Sequence, residues 1–256
     1  MDCTVIIPNY KTPELTRLCL RSLRKHTDLT KARVIAVDND SADESLAYLR
    51  SLKWITLIER KTAGESGPEM HARALDEALK VVDTPFFVVM HTDTIVVSDG
   101  WLDYLLGAFG GDPKCAGVGS WKLEKSSKLK YYGQRLEELA RRVFLHRRRA
   151  PEERYLRSHC AIYRTELVRR FTSGFFDGET AGRSLHRMLV GANYDMRFLE
   201  SFELGAYIRH LNHATMILNP SGDGRTSKAS SRRKLADKME DAAFAEILAD
   251  DTLDRA

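Results

Sequence analysis

Four short apolar runs, residues 4–8 (TVIIP), 33–37 (RVIAV), 54–58 (WITLI) and 86–90 (FFVVM), alternate with segments of helical periodicity. This alternation constrains the fold more than any other feature of the chain. After the first run, Thr12 stands at an N-cap position and Pro13 at the first helical one, and Leu15, Leu18, Cys19 and Leu23 share a face. A second helix runs through Leu46 and Leu49, with Asp43 and Glu44 suited to its N-terminal dipole. A third, over 69–82, turns Met70, Ala74, Leu75, Ala78 and Leu79 inward after a loop at 64–68. FFVVM is apolar at consecutive positions, as a central strand covered on both faces must be. Strands alternating with helices predict an α/β class: a Rossmann-like, mostly parallel sheet with helices on both faces. Ligands then bind beyond the carboxyl ends of the strands, which brings Pro8, Asn9 and Tyr10, residues 38–41 and residues 91–94 to one crevice.

The second half is less regular. Helical character is expected over 101–109, 128–149 and 184–189, strand character over 116–121 and 158–163, and a polar C-terminal helix over 229–248. No internal repeat is present, and three parts are expected: 1–125, 126–225 and a helical tail at 226–256. With 256 residues, 43% of them hydrophobic, the chain is long enough for a real core and too apolar for global disorder. The start MDCTVIIPNY lacks a signal-peptide pattern and no apolar run approaches a membrane span, so a cytoplasmic protein is expected. Cys3, Cys19, Cys115 and Cys160 are scattered without a C-x-x-C pair, which argues for buried reduced thiols rather than zinc or disulfides.

The formal charge of +4 hides an asymmetry. Residues 122–170 carry 15 basic and 6 acidic side chains, a local +9, which leaves −5 elsewhere. Within this stretch the predicted helix over 128–149 interleaves Leu129, Tyr132, Leu136, Leu139, Val143 and Phe144 with Arg135, Arg141, Arg142 and Arg147 to Arg149. Such a helix either packs on its own core with a solvated basic face or lies on an anionic membrane surface. No nucleic-acid-binding motif accompanies the charge, so no nucleic acid partner is expected.

Taken in order, VIIPNY, VDNDSAD and the turn His91-Thr92-Asp93 after a strand resemble the nucleotide-sugar-binding half of family 2 glycosyltransferases with the GT-A fold. The resemblance covers about residues 1–125 well and 158–215 more loosely. It implies a sugar transferred from a nucleotide-diphosphate donor, UDP- or GDP-linked, to a hydroxyl of a glycan or lipid-linked glycan, with inversion, in polysaccharide or glycoconjugate biosynthesis. It also implies a donor-binding first half, an acceptor-binding second half carrying the catalytic base, and peripheral membrane contact through 128–149.

Residue by residue, the resemblance places Asp38 against the donor's base and Pro8, Asn9 and Tyr10 around the nucleoside; Asp43 reads as a helix cap. The family's D-x-D falls on His91-Thr92-Asp93, so histidine replaces the first aspartate and the second is retained. Asp93 is the expected ligand of Mn²⁺ or Mg²⁺, and Thr92 belongs to the donor side. His91 is read either as a donor or metal contact, imidazole suiting Mn²⁺ better than Mg²⁺, or as a local structural residue. A further ligand is expected from His210 or His213, three positions apart. His71 is read as a donor-side contact or as a helix-surface residue. The acceptor needs a base, for which Glu179 matches the family pattern best and Asp177 second. Two other classes remain: a non-catalytic nucleotide- or glycan-binding scaffold, favoured by His91, and a sugar nucleotidyltransferase, disfavoured because no glycine-rich loop follows the first strand.

Overall fold

The computed structural model of the protein describes residues 1–121, 154–178, 180–220 and 229–255. The predicted basic helix at 128–149 and the candidate base Glu179 lie outside the described residues.

Strand β1 (Cys3–Asn9), helix α1 (Pro13–His26), β2 (Ala32–Asn39), α2 (Glu44–Ser51), β3 (Ile55–Arg60), α3 (Gly67–Val81) and β4 (Phe86–Met90) follow the predicted alternation. They continue into β5 (Thr94–Val96), α4 (Trp101–Gly107), β6 (Cys115–Gly119), β7 (Cys160–Arg164), α5 (Thr165–Phe171), α6 (Arg183–Gly191) and β8 (Asp195–Phe198). The chain then forms α7 (Ser201–Leu204), β9 (Ile208–His210), α8 (Ala214–Leu218), α9 (Ala229–Met239), α10 (Ala242–Ala249) and a 3₁₀ turn at Asp251–Asp254.

Seven strands form one sheet in the order β3-β2-β1-β4-β7-β6-β8, and β5 pairs with β9 in a separate ribbon. The pairs among β1 to β4 are parallel, whereas β7 is antiparallel to both β4 and β6. The sheet thus crosses the boundary expected near residue 125, with β4 pairing to β7. Strand pleating divides the core. Val5, Ile7, Val88 and Met90 pack with α1, Trp101, Phe244 and Ile247 on one face, while Ile6, Phe87 and Val89 pack with α3, Tyr163, Phe175 and Leu185 on the other. All four cysteines are buried and free, and burial pushes the Cys3 and Cys160 thiols up to about 12.

Local chemistry adjusts the predicted elements. Asp43 caps α2 by accepting from the Ser45 amide at 2.9 Å. Thr12 precedes α1 but makes no cap bond; its hydroxyl donates to Asn9 Oδ1 at 3.3 Å instead. Ser66 starts α3 at Gly67, two residues before the expected start. The C-terminal segment is two helices rather than one, because Asp241 accepts from the Ala243 amide and starts a new helix there.

This C-terminal segment is fastened to the sheet layer. Arg21, 5% exposed on α1, holds Asp254 through Nε at 2.9 Å and a second nitrogen at 2.5 Å, and Tyr48 donates to the same carboxylate at 2.6 Å. Burial alone would raise the Asp254 carboxyl, but the bonds from Arg21 and Tyr48 outweigh it and hold the group below its ordinary value. A depressed carboxyl stabilises the fold above the ordinary carboxylate range, and that contribution is lost as pH falls through the folded value. Asp254→Ala is therefore expected to cost about 2 kcal/mol at pH 7 and to flatten the acid side of the stability curve. Urea unfolding at pH 7 and pH 3 measures both, and a variant as stable as the parent at pH 7 refutes the latch.

Candidate functional site

The carboxyl ends of β1, β2 and β4 meet as expected, and the turns beyond them are locally strained. Lys11, Asp40 and Ala42, none of them glycine, all have left-handed backbone, with φ of 49°, 58° and 50°. Asn9 ties these turns together. Its amide nitrogen donates to Asp38 Oδ1 at 2.7 Å, Ser45 Oγ at 2.8 Å and Ser41 Oγ at 3.2 Å, while its carbonyl takes Thr16 Oγ1 at 2.6 Å and Thr12 Oγ1 at 3.3 Å. Asp38 Oδ2 accepts from the Ser41 amide at 3.0 Å, and Ser41 Oγ in turn accepts from the Lys11 amide at 3.1 Å. Asn9 and Asp38 are each only 1% exposed. Both stand at the strand ends expected of them, and their side chains tie the turns after β1 and β2 together, the turn role that is the alternative to donor contact for Asp38. Tyr10, half-buried with Lys11 Nζ 5.2 Å from its ring centroid, stands at the rim; Pro8 is buried in β1.

Beyond β4 the chain enters His91-Thr92-Asp93. Thr92 is 2% exposed, and its hydroxyl lies 3.3 Å from that of Thr12 and 3.4 Å from that of Thr215, linking the start of α1 to α8. His91 to Thr94 form a tight turn, closed by the Thr94 amide donating to the His91 carbonyl at 3.1 Å. Asp93 is 2% exposed and faces two imidazoles, with Oδ1 3.2 Å from His210 Nε2 and 3.6 Å from His91 Nδ1. Among the described residues, His91, Asp93 and His210 form a group whose ligand atoms all lie within 4.8 Å of one another.

The topology explains the arrival of His210. Strand β9 pairs antiparallel with β5 so that His210 stands opposite Thr94, next to Asp93. Asn212 and His213 then take left-handed backbone, φ 52° and 62°, which swings the Ala214 amide onto Asp93 Oδ2 at 2.9 Å. His213 is exposed in that turn and stays outside the group, so of the two candidates only His210 joins it.

Three neighbours complete the cluster. His71, on α3, and His91 both reach Ser158 Oγ through Nε2, at 3.1 and 3.0 Å, with the two rings 4.6 Å apart edge to face. His159 stacks on His210 at 5.0 Å and bonds Ser120 Oγ through Nε2 at 2.9 Å. Desolvation, and then repulsion from neighbouring histidines, holds His71 and His159 well below the ordinary imidazole value, so both are neutral. Burial would raise Asp93, but attraction to His210 and then His91 prevails and keeps it ionised well below the carboxylate range. Ser158 and His159 are absent from the expected site. Their run SHCAIY reads as a strand, but its direction is not legible in side-chain alternation. Because β7 runs antiparallel to β4, with Cys160 opposite Met90, its amino end lands on the crevice.

The donor set fits a divalent ion on an observation internal to the structure. Asp93 Oδ1 and His210 Nε2 are buried and, despite their 3.2 Å separation, neither has an aligned hydrogen-bond partner. A cation between them would satisfy both. Asp177, the second candidate base, accepts from the Thr180 amide at 2.9 Å and the Ser184 amide at 3.0 Å at the start of α6.

Known structures share the architecture. The chain aligns over 96% of its length with 71% of the mannosyltransferase PcManGT from Pyrobaculum calidifontis, solved in complex with GDP-Man and Mn²⁺, at 18% identity and a TM-score of 0.58. It aligns over 97% of its length with 70% of Staphylococcus aureus TarS 1-349, at 17% identity and a TM-score of 0.54. The complex of that protein with UDP-GlcNAc aligns with a TM-score of 0.51 and 18% identity, over 97% of this chain and 71% of the other. At these identities the likeness is one of fold, and it meets the GT-A expectation. No curated protein matches the sequence. Residues 4–172, from the first strand through β7 and α5, match the family described as Glycosyl transferase family 2, and the chain belongs to that family.

Proposed function

We propose that the protein is a metal-dependent, inverting glycosyltransferase that moves a sugar from a UDP- or GDP-linked donor to a hydroxyl of a glycan or lipid-linked glycan, in polysaccharide or glycoconjugate biosynthesis. The observation that carries this reading is the group His91, Asp93 and His210 at the carboxyl end of β4, with unpartnered buried ligand atoms. Proteins of the same fold were solved with GDP-Man and Mn²⁺ and with UDP-GlcNAc, which supports a nucleotide-sugar donor. Mn²⁺ or Mg²⁺ held by these three residues would neutralise the charge that develops on the diphosphate leaving group.

The chain's own residues do the rest. Asp93 is fixed by the Ala214 amide, so its free oxygen stays aimed at the two imidazoles. Asn9 and Asp38 hold the turns after β1 and β2 against each other, and Tyr10 at the rim would flank the nucleoside. Glu179 keeps its sequence-based assignment as the base that takes the acceptor's proton. Among the described residues, no helix is long and apolar enough to cross a membrane.

Isothermal titration with UDP and GDP, each with and without Mn²⁺, tests the reading, followed by donor turnover with the nucleotide sugar. One nucleotide is expected to bind about tenfold tighter or more with the ion, and the matching sugar donor to be consumed. Metal-dependent binding without transfer or hydrolysis of any donor would identify a scaffold instead.

A further inference from the structure

The proposed ion site departs from the aspartate that the family resemblance places at position 91: an imidazole stands there with a hydroxyl behind it. His91 presents Nδ1 to Asp93 Oδ1 at 3.6 Å and Nε2 to Ser158 Oγ at 3.0 Å. A ring nitrogen that ligates an ion gives up its proton, so the other nitrogen carries the hydrogen and needs an acceptor. Ser158 is that acceptor. Its own hydrogen then needs an outlet, and His71 Nε2 stands 3.1 Å away. The chain closes in one direction: His91 Nε2–H to Ser158, and Ser158 O–H to His71 Nε2.

His210 repeats the arrangement. Its Nδ1 lies 3.1 Å from Asn212 Oδ1, which accepts the ring hydrogen and leaves the Nε2 lone pair 3.2 Å from Asp93. Both imidazoles therefore have the outer nitrogen tethered and the inner one aimed at the same carboxylate oxygen. Ser158 is held in place by sheet register as well, two residues before Cys160, which pairs with Met90.

We propose that Ser158 is the positioning residue that holds His91 as a nitrogen ligand, so that the centre presents two imidazoles and one carboxylate and selects Mn²⁺ over Mg²⁺. The inference rests on the proposed ion site, but its content is the donor set and its selectivity. Mg²⁺ favours oxygen ligands in near-ideal octahedra, whereas imidazole suits transition-metal ions. Ser158 touches no ion and acts through the orientation of His91.

The test uses the full chain without donor and reads the ion directly. Pulsed electron paramagnetic resonance of bound Mn²⁺ is expected to show nitrogen couplings from two imidazoles, and titration to show Mn²⁺ bound at least about tenfold tighter than Mg²⁺. Ser158→Ala should weaken Mn²⁺ binding by about tenfold or more and remove one nitrogen coupling, while Ser158→Thr restores the hydroxyl and both signals. His91→Asp should remove one nitrogen coupling and narrow the Mn²⁺ preference by about tenfold. Fewer than two nitrogen couplings in the parent protein, equal affinity for the two ions, or unchanged Mn²⁺ binding and couplings in Ser158→Ala would overturn the proposal. Two nitrogen couplings with no donor turnover would sink the transferase reading and leave this one standing. Normal donor turnover without them would do the reverse.

Discussion

Asp93→Asn is expected to lower kcat/KM for donor turnover by about a thousandfold, a loss of several kcal/mol of transition-state stabilisation. The substitution nearly preserves shape: an amide oxygen can still accept from the Ala214 amide, which Asp93 Oδ2 accepts at 2.9 Å. What disappears is the anionic group that, among the described residues, faces His91 and His210 at 3.6 and 3.2 Å. With the charge gone, two neutral nitrogens remain to hold a dication, and the leaving diphosphate loses its counter-charge. Nucleotide affinity measured without metal should be unchanged, because Asp93 is 2% exposed behind the imidazoles. Steady-state kinetics across a Mn²⁺ series, with a thermal melt to verify folding, decide the matter. Turnover within tenfold of the parent at saturating Mn²⁺ would remove Asp93 from the chemistry.

Asn9→Asp, a change of a single amide nitrogen to oxygen, is expected to destabilise the fold by about 3 kcal/mol or more at neutral pH. Asn9 Nδ2 donates to Asp38 Oδ1 at 2.7 Å, and both residues are 1% exposed. A carboxylate oxygen in that place confronts a second carboxylate with no solvent to screen it, and it also strips Ser45 Oγ, 2.8 Å away, of its donor. Two such groups share a proton in the folded chain that the unfolded chain would release, so the folded variant binds more protons than the unfolded one. Stability then falls as pH rises, and the deficit should shrink between pH 7 and pH 5. Urea unfolding at the two pH values measures this. An equal deficit at both would mean that the cost is steric rather than electrostatic.

What could be read beforehand followed the locality of its cause. Strands β1 to β4 and helices α1 to α3 announce themselves because each is a contiguous run whose own periodicity selects it. Strands β5 and β9 were not legible: three residues each, they form because they pair with each other, and nothing within TIV or IRH requires it. The choice between His210 and His213 depends on that ribbon and on the left-handed turn at Asn212 and His213. Ser158 and His159 were missed for a related reason, the direction of β7 being set by its neighbours. Asp38 shows the opposite limit, since the position was legible from the end of a strand while its partner Asn9 emerges only when two turns close on each other.

The antiparallel insertion of β7 between β4 and β6 also governs the order in which the protein becomes competent during synthesis. The donor-side strands emerge from the ribosome first and can pair among themselves, but the outer edge of β4 stays bare until residue 160 and its neighbours arrive. At that stage Asp93 has neither the Ala214 amide nor His210, and His91 has no Ser158 behind it. A nascent chain at that stage has the turns after β1, β2 and β4 but lacks the partners that β7 and β9 bring to His91 and Asp93.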